Sequence, residues 1–205
     1  MILQKRGWLR RFAWRDEDAT QLAEFAIALP LLIFFVVGIF DFSGAFTLKQ
    51  KLTNIARDAA RAAAADPATD LTKPLPYSVS DAFYVIDNYL IANNINDCGV
   101  LVSNNSIVRT LTWQFAPADS SGSCSITITI NRGYYFPFPV ATKSALPTVS
   151  CIPPPAGVGA TQVVATCVSI QYSYQWRFGQ VASLLGRNAI LPTSISAVAV
   201  AMNEN

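Results

Sequence analysis

Residues 19–67, ATQLAEFAIALPLLIFFVVGIFDFSGAFTLKQKLTNIARDAARAAAADP, decide the fold, because a membrane-type helix and an amphipathic helix follow one another there without a break. From Phe25 to Phe40 no side chain is charged, and with Leu22 and Phe42 included the apolar run reaches 21 residues. That is about the length needed to cross a hydrocarbon core. A cleaved secretory signal would have a shorter apolar region ending in small residues, whereas this run leaves through bulky Ile39, Phe40 and Phe42. Pro30 removes one backbone hydrogen bond inside the run, a defect that membrane helices tolerate. Glu24 is the unexpected residue, since a carboxylate at mid-bilayer costs on the order of 3 kcal/mol and marks function by default.

Beyond Phe42 the pattern changes without a helix stop. Leu48, Leu52, Ile55, Ala59 and Ala62 form a stripe at helical spacing, while Lys49, Lys51, Asn54, Arg57 and Arg61 occupy the opposite side. The alanine-rich end favours helix, and Asp66-Pro67 is the expected stop. A helix over 20–65 would be roughly 69 Å long, more than twice what a bilayer needs. Half of it projects outward.

Composition agrees with a membrane-associated chain: 52% of the 205 residues are hydrophobic and 14% charged. Residues 1–20 hold five bases (Lys5, Arg6, Arg10, Arg11, Arg15) against three acids, and from residue 21 onward ten bases face ten acids. The basic flank directs the N-terminus to the cytoplasm and everything after Asp41 to the extracytoplasmic side. The balanced remainder gives no support to nucleic-acid binding. The chain contains no histidine, which removes the commonest general base and metal ligand. No metal site and no cofactor are expected. Nucleophile elbows, phosphate-cradling loops and zinc-protease motifs are also missing from the sequence, so an enzyme is not expected. A carboxylate pair such as Asp81 and Asp87 falls on a helix, where solvation is the ordinary reading.

After the proline-punctuated linker 67–79, Ser80 is expected to cap a short helix with an apolar face of Ala82, Phe83, Ile86 and Leu90. The period then changes to two. IVRTLTWQF (107–115), SITITI (125–130), QVVATCVSIQYSYQW (162–176) and ISAVAVAM (195–202) read as strands, with YYFPFPVATKSALP and CIPPPAGVGATQ as connections. Residues 168, 170, 172, 174 and 176 share one face, expected to look into the core. The expected fold is α+β: a long membrane-spanning helix projecting into an extracytoplasmic domain (80–205) with a short helix and an antiparallel sheet. Cys98, Cys124, Cys151 and Cys167 include no C-x-x-C pair. They suit two disulfides in an oxidising compartment better than a zinc site, with free buried thiols as the alternative. Four cysteines permit three pairings, and sequence proximity favours Cys98–Cys124 with Cys151–Cys167.

The segment from ATQLAEFAIALPLLIFFVVGIFDFSGAF through QKLTNIARDAARAAA, with the C-terminal ISAVAVAMNEN, resembles the TadE-like family of minor pseudopilins from tight-adherence pilus systems. The resemblance implies a pilin-like fold and a cytoplasmic leader, residues 1–19, cut by a prepilin peptidase between Ala19 and Thr20. Ala19 stands where the family pattern usually has Gly. It further implies that the Glu24 carboxylate neutralises the Thr20 amine of a neighbouring subunit and so sets axial register. Implied partners are the inner membrane, the peptidase, other pilin and pseudopilin subunits and the pilus assembly platform. The implied role is an initiating or tip subunit of the fibre. The different reading is a permanently anchored envelope binding module. Arg57 and Arg61 suit either an acidic partner subunit or a solvated helix face.

Overall fold

The computed structural model describes residues 16–118, 124–138, 147–153, 161–177 and 192–204. Helix α1 runs over Asp16–Ala65, 50 residues with Pro30 inside it. It begins four residues before the expected start at Thr20, so the Ala19–Thr20 junction lies in its first turns. The basic segment 1–15 lies outside the described residues.

Two environments divide α1. Its lower half is bare, with Leu22, Phe25, Ile27, Leu31, Phe35 and Phe40 all exposed. The helix meets the length and composition of a membrane span. In its upper half Leu52, Ile55, Ala56, Ala59, Ala60 and Ala63 are buried. The buried face is wider than the stripe expected from spacing, because α1 packs against a second helix and against two strands at once. Alanine makes this possible: its single methyl lets neighbouring backbones close in without leaving a void.

Helix α2 spans Tyr77–Ala92 and buries Ala82, Phe83, Ile86 and Leu90. It starts at Tyr77, not at a cap on Ser80, whose hydroxyl instead donates to the Tyr77 carbonyl at 2.8 Å. Pro76 takes the N-cap position in extended conformation, and the Tyr77 amide donates to the Asp70 carboxylate at 2.7 Å. A proline contributes a fixed φ and no side-chain acceptor, so the acceptor comes from seven residues upstream.

The strands are β1 (Asn105–Arg109), β2 (Thr112–Phe115), β3 (Ile126–Phe138), β4 (Thr161–Ser173) and β5 (Ser194–Met202). They form one antiparallel sheet in the order β1-β2-β3-β4-β5. Two expectations are corrected. IVRTLTWQF is a hairpin and not one strand, because Leu111 adopts a positive φ of 55° that turns the chain. The stretch expected to open a connection at Tyr134 continues β3 as far as Phe138. Pro137 is tolerated there because β2 pairs with β3 only up to Asn131, which leaves the later residues on a sheet edge.

β3 is bulged between Asn131 and Tyr134. Ile126, Ile128 and Ile130 enter the main core with Val168, Ile170, Phe83 and Leu52, whereas Tyr134 joins a second cluster with Cys151, Ala165 and Cys167. An extra residue reverses the inward phase of a strand, and here it supplies both sheet faces with a packed patch. Gly133 sits in the bulge because Leu111 leaves no room: an added Cβ would stand 2.8 Å from Leu111 Cδ1.

Candidate functional site

The functional geometry centres on α1, a bare stem below and a core helix above, with a junction of specific contacts at each end of the core-bearing half. On the stem Thr20 and Glu24 are exposed, one helical turn apart on the same side. Ala19 lies within the helix, and nothing is described of its side chain.

At the lower junction the chain after β4 clasps the stem. Asp41, only 7% exposed, accepts the Arg177 amide at its Oδ1 (3.2 Å), and its main-chain carbonyl accepts the Tyr174 hydroxyl (3.3 Å). Tyr174 meets Trp176 edge-on with ring centres 5.1 Å apart, and Trp176 meets Phe42 at 5.4 Å. The Trp176 indole donates to the Pro192 carbonyl at 2.8 Å. Gly44 permits this approach, since a Cβ there would reach the Tyr174 hydroxyl at 3.1 Å. Burial raises the Tyr174 pKa, with the Asp41 charge adding to it and Arg177 opposing. The shared face expected from residue 168 to 176 thus divides. Val168 and Ile170 enter the core, Tyr172 is half-buried beside it, and Tyr174 and Trp176 lie beyond the end of β4 against the stem. Higher up, Lys49 Nζ donates to the Ser196 carbonyl of β5.

The upper junction is built around Arg132, a buried cation that sequence reading did not single out. Its Nη1 donates to Thr166 Oγ1 (2.7 Å) and Asn203 Oδ1 (3.3 Å), and its Nη2 donates to the Asp66 carbonyl (2.8 Å) just past the end of α1. Thr166 also donates to Asn203 at 2.7 Å. A guanidinium at a helix C-terminus satisfies a carbonyl that has no partner within the helix and faces the negative end of its dipole. Burial lowers the Arg132 pKa, opposed by Asp66 and Asp70; burial likewise raises that of Asp66, with Asp81 and Asp70 adding and Arg132 opposing. Asn203 belongs to the terminal MNEN, so that motif closes β5 onto the end of α1. Arg132 sits in the β3 bulge, and its partners are 34 to 71 residues away, so no local pattern in the sequence marks its role.

The cysteines pair as Cys98–Cys124 and Cys151–Cys167. The first joins the segment after α2 to the entry of β3, and the second fastens 147–153 to the outer face of β4. There Asn131 Nδ2 donates to the Cys151 carbonyl at 2.9 Å, and Ser169 donates to the Val149 carbonyl. Beside this segment lies a cavity of about 210 Å³ lined by Arg109, Gln114, Thr127, Thr129 and Gln171 among others, in which no acid and base converge. Among the described residues no group of three or more metal-ligating side chains exists. Asp81 and Asp87, six positions apart on α2, project in different directions. Arg57 and Arg61 are exposed on α1, with Arg61 3.9 Å from Asp58.

A small α+β domain held by two disulfides is carried on one helix long and apolar enough to span a membrane, an arrangement that fits a membrane-anchored protein. Residues 20–61 match the family model described as TadE-like protein, consistent with a TadE-like protein of the tight-adherence system. The match covers the stem and the helical face up to Arg61, including Glu24 and Arg57. No curated protein and no solved structure gives a significant match.

Proposed function

We propose that the chain is a minor pseudopilin of a tight-adherence pilus, processed between Ala19 and Thr20 and incorporated as an initiating or tip subunit. One observation carries the reading: the family-matched segment is a bare apolar stem bearing Glu24 that continues unbroken into the domain core. Such a stem is stable either in lipid or against the stems of other subunits. Glu24 is costly alone in both settings and favourable beside a cation. In this reading the Thr20 amine of the neighbour supplies that cation, and helix termini fray enough for a peptidase to reach the junction. The inner membrane holds the subunit before assembly, the prepilin peptidase and assembly platform act on it there, and Arg57 and Arg61 offer an acidic subunit a contact.

N-terminal sequencing of the membrane-extracted protein tests the reading. Processing at Thr20 is expected, with Ala19→Leu blocking it by filling a small subsite. Glu24→Ala is expected to leave carbonate-resistant membrane insertion intact while pilus number falls. An intact Met1 in the mature protein, or normal piliation by Glu24→Ala, would refute it and favour a permanently anchored binding module.

A further inference from the structure

The base of the sheet domain carries the chemistry of a membrane boundary at the height where the apolar stem ends. The run from Leu22 to Phe42 spans 21 residues, about 31 Å of helix against a hydrocarbon core of about 30 Å. In a stem that crosses a membrane with its N-terminus inside, Phe42 would stand at the outer edge of the hydrocarbon. The clasp sits at this level: Trp176 touches Phe42, and both Tyr174 and the Arg177 amide bond to Asp41.

These aromatics are not ordinary core. Val168 and Ile170, on the same face of the chain, are 0% exposed, whereas Tyr174 and Trp176 lie past the strand end and Phe42 stays 64% exposed despite its contact. Asp41 is turned inward, while Arg177 is exposed beside the same ring cluster. Amphipathic rings and a long cationic side chain, held together where an apolar helix ends, are the composition of a bilayer interface.

We propose that the base of the sheet domain seats on the outer leaflet of the membrane that the stem crosses, with Trp176, Tyr174 and Phe42 at headgroup level and the Arg177 guanidinium on the phosphate of an anionic phospholipid. The clasp then sets the depth of the stem: with Asp41 tied to the domain, the helix cannot sink further without dragging folded backbone into hydrocarbon. The seating requires a membrane-spanning stem and does not rest on incorporation into a pilus.

The test uses the full chain carrying Trp8→Phe and Trp14→Phe, reconstituted in phosphatidylcholine vesicles with or without phosphatidylglycerol. The lipids are brominated either high on the acyl chain or near its methyl end. Trp113 is the internal reference, because it is buried and its indole donates to the Pro74 carbonyl at 2.8 Å. High bromines are expected to quench about half of the emission, the share of one interfacial indole in two, and deep bromines much less. Trp176→Phe should abolish the quenching. Phosphatidylglycerol should increase it, and Arg177→Gln should remove that increase. Both disulfides, checked on a non-reducing gel, report that each variant is folded. Equal emission with and without high bromines in a carbonate-resistant protein would overturn the seating. Quenching that ignores anionic lipid, or an increment that survives Arg177→Gln, would overturn the role of Arg177.

Discussion

Replacing Arg132 by Met should loosen the end of α1 from the sheet far more than the loss of a surface cation would. The side chain is 1% exposed and makes three hydrogen bonds, to Thr166, Asn203 and the Asp66 carbonyl. Bonds from a charged donor are worth about 1.5–3 kcal/mol each, so the gross loss is roughly 4.5–9 kcal/mol. Removing the cation also recovers its burial cost, several kcal/mol, and Met refills much of the volume. Thr166 and Asn203 keep their mutual 2.7 Å bond, which leaves the Asp66 carbonyl as the principal acceptor stranded. The net expectation is about 2–4 kcal/mol of destabilisation. In urea, with the full chain in mild detergent, that moves the unfolding midpoint down by about 1–2 M for a slope near 2 kcal/mol per M. Arg132→Lys should recover less than half, because one ammonium cannot reach three acceptors in a fork. A double-mutant cycle with Asn203→Ala should show coupling of about 1 kcal/mol. A loss under 0.5 kcal/mol for Arg132→Met, or additivity with Asn203→Ala, would show that the guanidinium does not join the helix end to β5.

Cys151→Ser with Cys167→Ser opens a bridge with a sequence separation of 16, for which chain entropy gives about 3 kcal/mol of lost stability; protease nicking within 147–153 should rise in parallel with the urea shift. Gly133→Ala forces a methyl against Leu111, whose Cδ1 would lie at 2.8 Å; an overpacking loss of about 1–3 kcal/mol is expected, with partial rescue by Leu111→Ala in thermal unfolding. Asp87 has its pKa raised by burial first and by Asp97 second. The folded state therefore binds the proton more tightly than the unfolded chain, and stability falls as pH rises from the ordinary carboxylate value through the raised one. Asp87→Asn should consequently be more stable than the native chain at neutral pH, with the difference vanishing below about pH 3.8 in pH-resolved denaturation curves.

Local periodicity carried the sequence a long way. The uncharged run ending at Phe42, the stripe through Leu52, Ile55 and Ala59, the apolar face of α2 and the alternation of Ile126, Ile128 and Ile130 each place side chains by a repeat of 3.6 or 2, and burial follows that repeat in the folded chain. Glu24 stood out for a related reason: in an apolar context one charge is conspicuous without any knowledge of the fold. What escaped sequence reading depends on residues brought together from afar. Asp70 receives the first amide of α2 only because the linker turns back, and Leu111 with its positive φ converts one apparent strand into a hairpin over Gly133. Pro137 is admitted to β3 because its neighbour strand has already ended. Arg132 and Asp41 read as ordinary charges in the sequence. The tertiary structure buries them because acceptors or donors more than thirty residues distant, and for Asp41 more than a hundred and thirty, satisfy them there. Hydrophobic patterning is written into neighbouring residues, whereas the partner of a buried polar group is determined by the path of the whole chain.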